Sequence, residues 1–183
     1  MKARAQKIQT VLDAKFIHTK RVAELFALAL QAEKNVIIWG PAGHAKSEMT
    51  ETVIDGLGLK DDTFVQFFGE GMTEDKLYGG MDFKKLEEEH QLVYHPENSF
   101  LNRKFAVFEE LFDAPAVVLT ALKDTLTAKQ MRNGNQRFPM QTKSIICLTN
   151  KSPGEISDMG ASAHALVERF PFQFELKWDS YKT

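Results

Sequence analysis

The sequence predicts an α/β domain in which a mainly parallel sheet is sandwiched between helices. Two observations carry that expectation: five short apolar segments recur along the 183 residues, and stretches of helical periodicity lie between them. The segments read NVIIW from Asn35, TFVQFF from Thr63, KFAVF from Lys104, KSIICLT from Lys143 and FPFQFEL from Phe170. Most lack polar alternation and are rich in Val, Ile and Phe, the pattern of strands covered on both faces. Among the helices, Thr19 is placed to cap one in which Val22, Leu25, Phe26, Ala29 and Leu30 recur at helical spacing and form one apolar face. A second runs from near Ala45 to the Gly56 region. A third starts at Asp113 to Pro115, where a carboxylate can accept orphan amide bonds and proline needs no donor. Its Val118, Leu119, Leu122 and Leu126 then turn inward.

Two stretches interrupt the alternation. Residues Gly79 to Pro96 insert a polar segment that ends in a candidate strand, HQLVYH, between the second and third core strands. Residues Met131 to Gln141 contain Asn133-Gly134, a strong two-residue hairpin signal. No internal repeat or linker divides the chain, so residues 1–183 are expected to form one domain.

Composition narrows the function classes. With 43% hydrophobic and 26% charged residues the chain can build an ordinary packed core. The net charge of −2 gives no global basic field for sequence-independent nucleic-acid binding. No apolar run approaches the roughly 20 residues of a membrane-spanning helix, and the charged N-terminus MKARAQKIQTVLDAK has no signal-peptide apolar block, so a cytoplasmic protein is expected. Cys147 is the single cysteine, which excludes an intramolecular disulfide, and the five histidines show no metal-ligand spacing.

The most informative stretch is NVIIWGPAGHAKSEMTETVI, in which an apolar strand runs through Gly40, Pro41, Ala42, Gly43, His44, Ala45, Lys46 and Ser47 into a helix. That context reads as a P-loop. Phosphate oxygens need several convergent donors, which a tight glycine-bearing loop supplies through backbone N–H groups while the helix N-terminus adds partial positive charge. Lys46 is expected to reach the β- and γ-phosphates and Ser47 to place its hydroxyl on Mg²⁺. Ala45 occupies the last glycine position of the GxxxxGK[ST] pattern. Its methyl group either crowds the phosphate or costs about 1 kcal/mol if the backbone there is left-handed.

KFAVFEE ends an apolar strand in Glu109 and Glu110, a pair resembling a Walker B element. Glu109 is expected to help hold the Mg²⁺ hydration shell and Glu110 to polarise the attacking water, because neighbouring strand residues point to opposite faces. An acidic surface cap on the strand is the plain alternative. KSIICLTN ends in Asn150, an amide able to orient water or report the γ-phosphate, although asparagine before a loop is also an ordinary turn former. Gly40, the two acids and Asn150 all follow carboxyl ends of expected parallel strands, the edge at which open α/β sheets bind ligands.

With these residues in place the chain resembles the AAA+ ATPases and, within them, the MoxR family, including its RavA branch, from about Thr19 to Phe174. The resemblance rests on GPAGHAKS and on FEELFDAPAVVLTALKDTLTAKQMRNGNQRFPM followed by SIICLTN, similar to the family's P-loop, Walker B, helix, hairpin and sensor 1 series. It implies a P-loop NTPase three-layer sandwich with strand order 5-1-4-3-2 and hairpin inserts. It also implies ATP and Mg²⁺ as cofactors, and ATP hydrolysis by a homo-oligomer, a hexameric ring, that remodels a protein client. In ALVERF it implies that Arg169 is an arginine finger completing a neighbouring subunit's site. Catalytic roles then fall to Lys46, Glu110, Asn150 and Arg169, with Ser47 and Glu109 toward the metal. Where the family's usual pattern has aspartate, Glu109 extends the carboxylate by one methylene. Fourteen residues follow Arg169, so the family's helical lid is expected to be absent.

Three readings stay open on the sequence alone. The first is the ring ATPase, whose inserts, with Lys84, Lys85, Arg132 and Arg137, touch a client; solvated loops are the alternative for those charges. The second is a nucleotide-gated binding or assembly module with little turnover, which Ala45, Glu109 and the missing lid favour. The third, a small P-loop kinase, is opposed by the Glu109-Glu110 pair and by Asn150.

Overall fold

The computed structural model describes residues 2–177. In chain order the elements are α1 (Lys2–Asp13), α2 (Lys20–Ala32), β1 (Val36–Trp39), α3 (Lys46–Gly56), β2 (Thr63–Phe67), α4 (Glu74–Leu77), α5 (Phe83–Glu89), β3 (Phe105–Glu109), α6 (Ala116–Ala128), β4 (Gln130–Asn133), β5 (Gln136–Pro139), β6 (Ser144–Thr149), α7 (Pro153–Asp158), α8 (Ala161–Val167) and β7 (Phe172–Glu175). All five expected core strands form. They make one parallel sheet in the order β2-β3-β6-β1-β7, which is the expected 5-1-4-3-2 order read from the other edge.

Alternation along the strands divides the core into two layers. Val36, Ile38, Val107, Ile146 and Leu148 pack with Ile8 and Leu12 of α1, Phe26 of α2 and Met49 and Val53 of α3. Ile37, Ala106, Phe108, Ile145 and Cys147 face the opposite way, onto Leu77 of α4, Leu119 and Leu122 of α6, Ile156 of α7 and Leu166 of α8. Each fully buried Leu, Ile or Phe side chain contributes roughly 1.5–3 kcal/mol. Phe108 also meets Phe68 and Phe100 edge-on, with ring centroids 5.0 and 5.2 Å away. Burial of Cys147 pushes its thiol pKa up, so it behaves as a core side chain.

Register sets the height of the functional edge. Glu109 pairs with Leu148, and Trp39 pairs with Thr149, so β3, β1 and β6 end at one level. The β4–β5 hairpin forms as expected, though Asn133 pairs with Gln136 and the two loop residues are Gly134 and Asn135. Gly134 takes a left-handed φ of +52°, which explains the glycine.

Several local expectations are corrected. Thr19 does not cap α2: its backbone is already helical at φ −81°, ψ −13°, and its hydroxyl donates to Asp13. Asp113 does not cap α6 either, because Pro115 takes the cap position and the carboxylate pairs with Lys151. HQLVYH forms no strand. His90 ends α5 in a left-handed turn, and Met81–Tyr94 is an isolated bridge, while the Gln136 amide serves both the N–H and the C=O of Tyr94. β2 is not covered on both faces: as the outer strand it leaves Val65 and Phe67 exposed. Among the described residues no helix is long and apolar enough to cross a membrane.

Candidate functional site

Four segments meet at the carboxyl edge of the sheet. The loop from Gly40 to Ser47 leaves β1, where the Gly40 N–H donates to Thr149 O at 3.3 Å. A Cβ on residue 40 would lie 2.5 Å from the carbonyl oxygen of Leu176, so the backbone approach requires glycine. Pro41, Ala42 and Gly43 are exposed at the loop tip, and the His44 Nδ1 lies 3.4 Å from Ala42 O. Ala45 stands at φ 54°, ψ 26°, a left-handed conformation that costs an L-residue roughly 1–2 kcal/mol. The position just before α3 is therefore a glycine-type position occupied by alanine.

Lys46 opens α3 and turns its side chain back over the loop. Its buried ammonium donates to Gly40 O at 2.7 Å, Pro41 O at 3.0 Å and Asn150 Oδ1 at 2.8 Å, which uses all three of its donors. Burial lowers its pKa, and the charge of Glu110 pulls it partly back. Next to it, Ser47 Oγ donates to Glu109 Oε2 at 3.0 Å. The longer glutamate thus spans the gap from β3 to the first turn of α3.

Glu110 follows β3 in a left-handed conformation at φ 52°, ψ 39°, and its N–H donates to Leu148 O at 2.8 Å. Its Oε2 accepts the Asn150 N–H at 3.3 Å. Burial raises the pKa of this carboxyl, with Asp113 pushing the same way and the Asn150 N–H, Lys46 and Lys151 opposing. The Asp113–Lys151 ion pair ties the turn after Glu110 to the residue after Asn150.

The structure brings together the loop residues Gly40 to Ser47, Glu109, Glu110 and Asn150. It does not bring Arg169 to them. Arg169 precedes β7 at the amino edge of the sheet, where its carbonyl accepts from Asn35 Nδ2 at 3.0 Å and its guanidinium reaches Thr127 Oγ1 and Glu168 Oε2, each at 3.2 Å. The length of β1 separates the two edges, roughly 15 Å at about 3.3 Å per residue.

Sequence reasoning missed two parts of the site. A cavity of about 380 Å³ adjoins the loop, lined by Ile17, His18, Arg21 and Met49 on one side and Phe174 and Leu176 on the other. Arg21 lies over the Phe174 ring at 5.5 Å. Its walls come from residues 17–22, Met49 and residues 173–177, so no local spacing announces it. The missed Asp113–Lys151 pair has the same cause, 38 residues separating its members.

A parallel sheet carrying a glycine-bearing loop that ends in Ala45-Lys46-Ser47 after β1, paired acids at the end of β3 and an amide after β6 has the architecture of an AAA+ P-loop module. More narrowly, the chain belongs to the MoxR family: the family model bpMoxR, described as the MoxR domain in the MoxR-vWA-beta-propeller ternary systems, matches residues 3–178. Two uncharacterised Methanocaldococcus jannaschii proteins, MJ0812 and MJ0079, are each 21% identical over 150 residues, or 82% of this chain. The chain spans 40 and 39% of their lengths. Similar solved folds include a "putative ATPase" from Cytophaga hutchinsonii, with TM-score 0.65 and 20% identity over 97% of this chain and 53% of that one. NtrX from Brucella abortus, solved with ATP, gives 0.65 and 13% over 89 and 36%. A Thermotoga maritima RuvB mutant gives 0.58 and 16% over 90 and 48%.

Proposed function

We propose that the chain is the α/β core of a MoxR-type ATPase that binds ATP with Mg²⁺, hydrolyses it within a homo-oligomeric ring, and uses the cycle to remodel a protein client. The family description makes vWA-domain and β-propeller proteins the first candidates for partners. The observation that carries the reading is the bonded chain across three strands: Lys46 to Asn150, Asn150 to Glu110, and Ser47 to Glu109. An ordinary glycine turn with a solvated lysine has no reason to converge on two acids and an amide from distant segments.

In this reading the loop N–H groups and the N-terminus of α3 receive the phosphate oxygens. Lys46 exchanges its bonds to Gly40 O, Pro41 O and Asn150 for contacts to the β- and γ-phosphates, which releases the Asn150 amide. Ser47 and Glu109 offer hard oxygen donors 3.0 Å apart, a set that fits Mg²⁺, which takes few protein ligands and keeps waters and phosphates. When bound, that ion neutralises phosphate charge. Glu110, raised in pKa by burial, accepts a proton from the attacking water. The water oxygen then bonds to the γ-phosphorus, the bond to the β,γ-bridging oxygen breaks, and ADP and phosphate leave. Arg169 of a neighbouring copy supplies the charge that its own site lacks. The 380 Å³ cavity beside the loop suits the base and ribose.

The test is phosphate release from mixed subunits. Arg169→Ala and Glu110→Gln are each expected to be inactive alone and to recover activity when mixed, because one copy then contributes the arginine and the other the acid. Mixtures that stay inactive, with both variants binding ATP, contradict action in trans. A second reading, ATP binding with little turnover, is favoured by the strained Ala45, and tight binding without phosphate release from the wild type selects it.

A further inference from the structure

The insert between β2 and β3 closes on itself at a narrow neck. Gly79 and Gly80 take positive φ of +87° and +99°, and a Cβ on residue 79 would lie 2.0 Å from the His95 carbonyl oxygen. The His95 N–H donates to Gly80 O at 3.0 Å, and the Asp82 N–H donates to Val93 O at 2.9 Å. The two ends of the insert therefore run side by side, with α5 beyond them. Asp82 caps α5, its Oδ1 accepting the Lys85 N–H at 3.0 Å. The far side of the insert is held by neutral groups: Asn133 Nδ2 donates to Leu92 O at 3.1 Å, and the Gln136 amide serves Tyr94.

The His95 ring stands at that neck between two carboxylates. Its Nδ1 lies 3.0 Å from Glu97 Oε1 and its Nε2 lies 3.8 Å from Asp82 Oδ2. Lys84 and Lys85 of α5 are exposed and pair with neither acid. From α4, Glu74 and Asp75 add negative charge beside Tyr94. A neutral imidazole has one N–H and leaves a lone pair facing the second carboxylate, whereas an imidazolium donates at both nitrogens. The proton a neutral ring keeps serves the closer Glu97 contact, so the Asp82 contact is the one lost. First its own backbone N–H and then His95 hold the Glu97 carboxyl below its usual range, against the opposing pull of burial. That acid therefore keeps its charge where histidine changes its own.

We propose that His95 is a protonation-dependent clasp on the neck of this insert. The imidazolium bridges Asp82 and Glu97 and fixes the start of α5; loss of the proton frees Asp82 and loosens the helix from its first turn. α5 carries Phe83, which is 69% exposed, so the clasp controls how firmly an apolar side chain is presented on the surface. The device is independent of nucleotide and stands whether or not the chain turns over ATP.

The test is hydrogen exchange of the full chain at about pH 5.5 and about pH 8, either side of the histidine range, read as protection factors for the α5 amides relative to those of β6. Protection factors remove the intrinsic effect of pH on exchange, and β6 reports global opening. The wild type should protect α5 about two- to fivefold more at the lower pH, the span of a half-exposed ion pair. His95→Gln should show no such difference and should match the wild type at the higher pH. Asp82→Asn keeps a capping oxygen while removing the charge, so it should also lose the difference, and it decides alone if His95→Gln does not fold. His90, at the other end of α5, adjoins Glu87 to Glu89 instead, and His90→Gln should keep the difference. Equal protection at both pH values in the wild type overturns the clasp, as does a difference that survives in His95→Gln or in Asp82→Asn. Loss of the difference in His90→Gln overturns it too, by moving the switch to the other end of the helix.

Discussion

Replacing Ala45 by glycine should stabilise the protein, although alanine to glycine beside a helix ordinarily destabilises. At φ 54°, ψ 26° the alanine is held left-handed, which costs roughly 1–2 kcal/mol. Glycine relieves that strain and restores about 0.4–1 kcal/mol of unfolded-state entropy to the opposing side. The net expectation is a gain of about 0.5–1 kcal/mol, or a Tm increase of about 1–4 °C for a domain of this size. Urea unfolding at constant m reads it directly. Gly58 supplies the control: it sits at φ +68° with nothing within 4 Å of a would-be Cβ, so Gly58→Ala should lose stability through the backbone alone. A lower midpoint for Ala45→Gly, or no loss for Gly58→Ala, refutes the strain. Loss of the methyl group from the loop should leave ATP affinity equal or tighter.

Three further outcomes follow from the geometry. Phe108→Ala opens a void between Phe68 and Phe100 and should cost about 3–5 kcal/mol in urea unfolding. Tyr78 is buried, bonded to Ala121 O and Thr125 Oγ1, and has a pKa pushed up to about 12 by burial. The unfolded tyrosine titrates near 10, so this contribution is whole below about pH 10 and is lost as pH rises toward 12, by about 2–3 kcal/mol. Tyr78→Phe should flatten that alkaline loss relative to wild type while costing about 1 kcal/mol at neutral pH. Lys151→Met should lower kcat for phosphate release up to about fivefold with little change in KM, in line with a half-exposed ion pair worth about 1 kcal/mol or less. The swap of Asp113→Lys with Lys151→Asp should restore it.

The parallel sheet was legible because each core strand announces itself locally as an apolar run, and the candidate phosphate loop because its residues, Gly40 to Ser47, are eight consecutive positions. Glu109, Glu110 and Asn150 were legible for a related reason: in a parallel sheet, strand ends are also functional edges. What the sequence hid depends on distance or on competition. Thr19 has the residue type of a cap, yet Asp13 six positions earlier captures its hydroxyl. The apolar run of β2 reads like a buried strand, and only the strand order makes it an edge. HQLVYH has strand composition, but the Gln136 amide takes the Tyr94 backbone groups a partner strand would have used. The cavity beside the loop joins residues 17–22 to residues 173–177, a separation no periodicity records.

Calorimetric titration of ATP with Mg²⁺ into the wild type and into Lys46→Ala bears most directly on the phosphate loop. One site per chain is expected in the wild type, with affinity at least roughly tenfold weaker in the variant, since charge-assisted bonds from Lys46 contribute about 1.5–3 kcal/mol. No heat from the wild type, or the same Kd in both proteins, would contradict a triphosphate seated between Gly40 and Ser47.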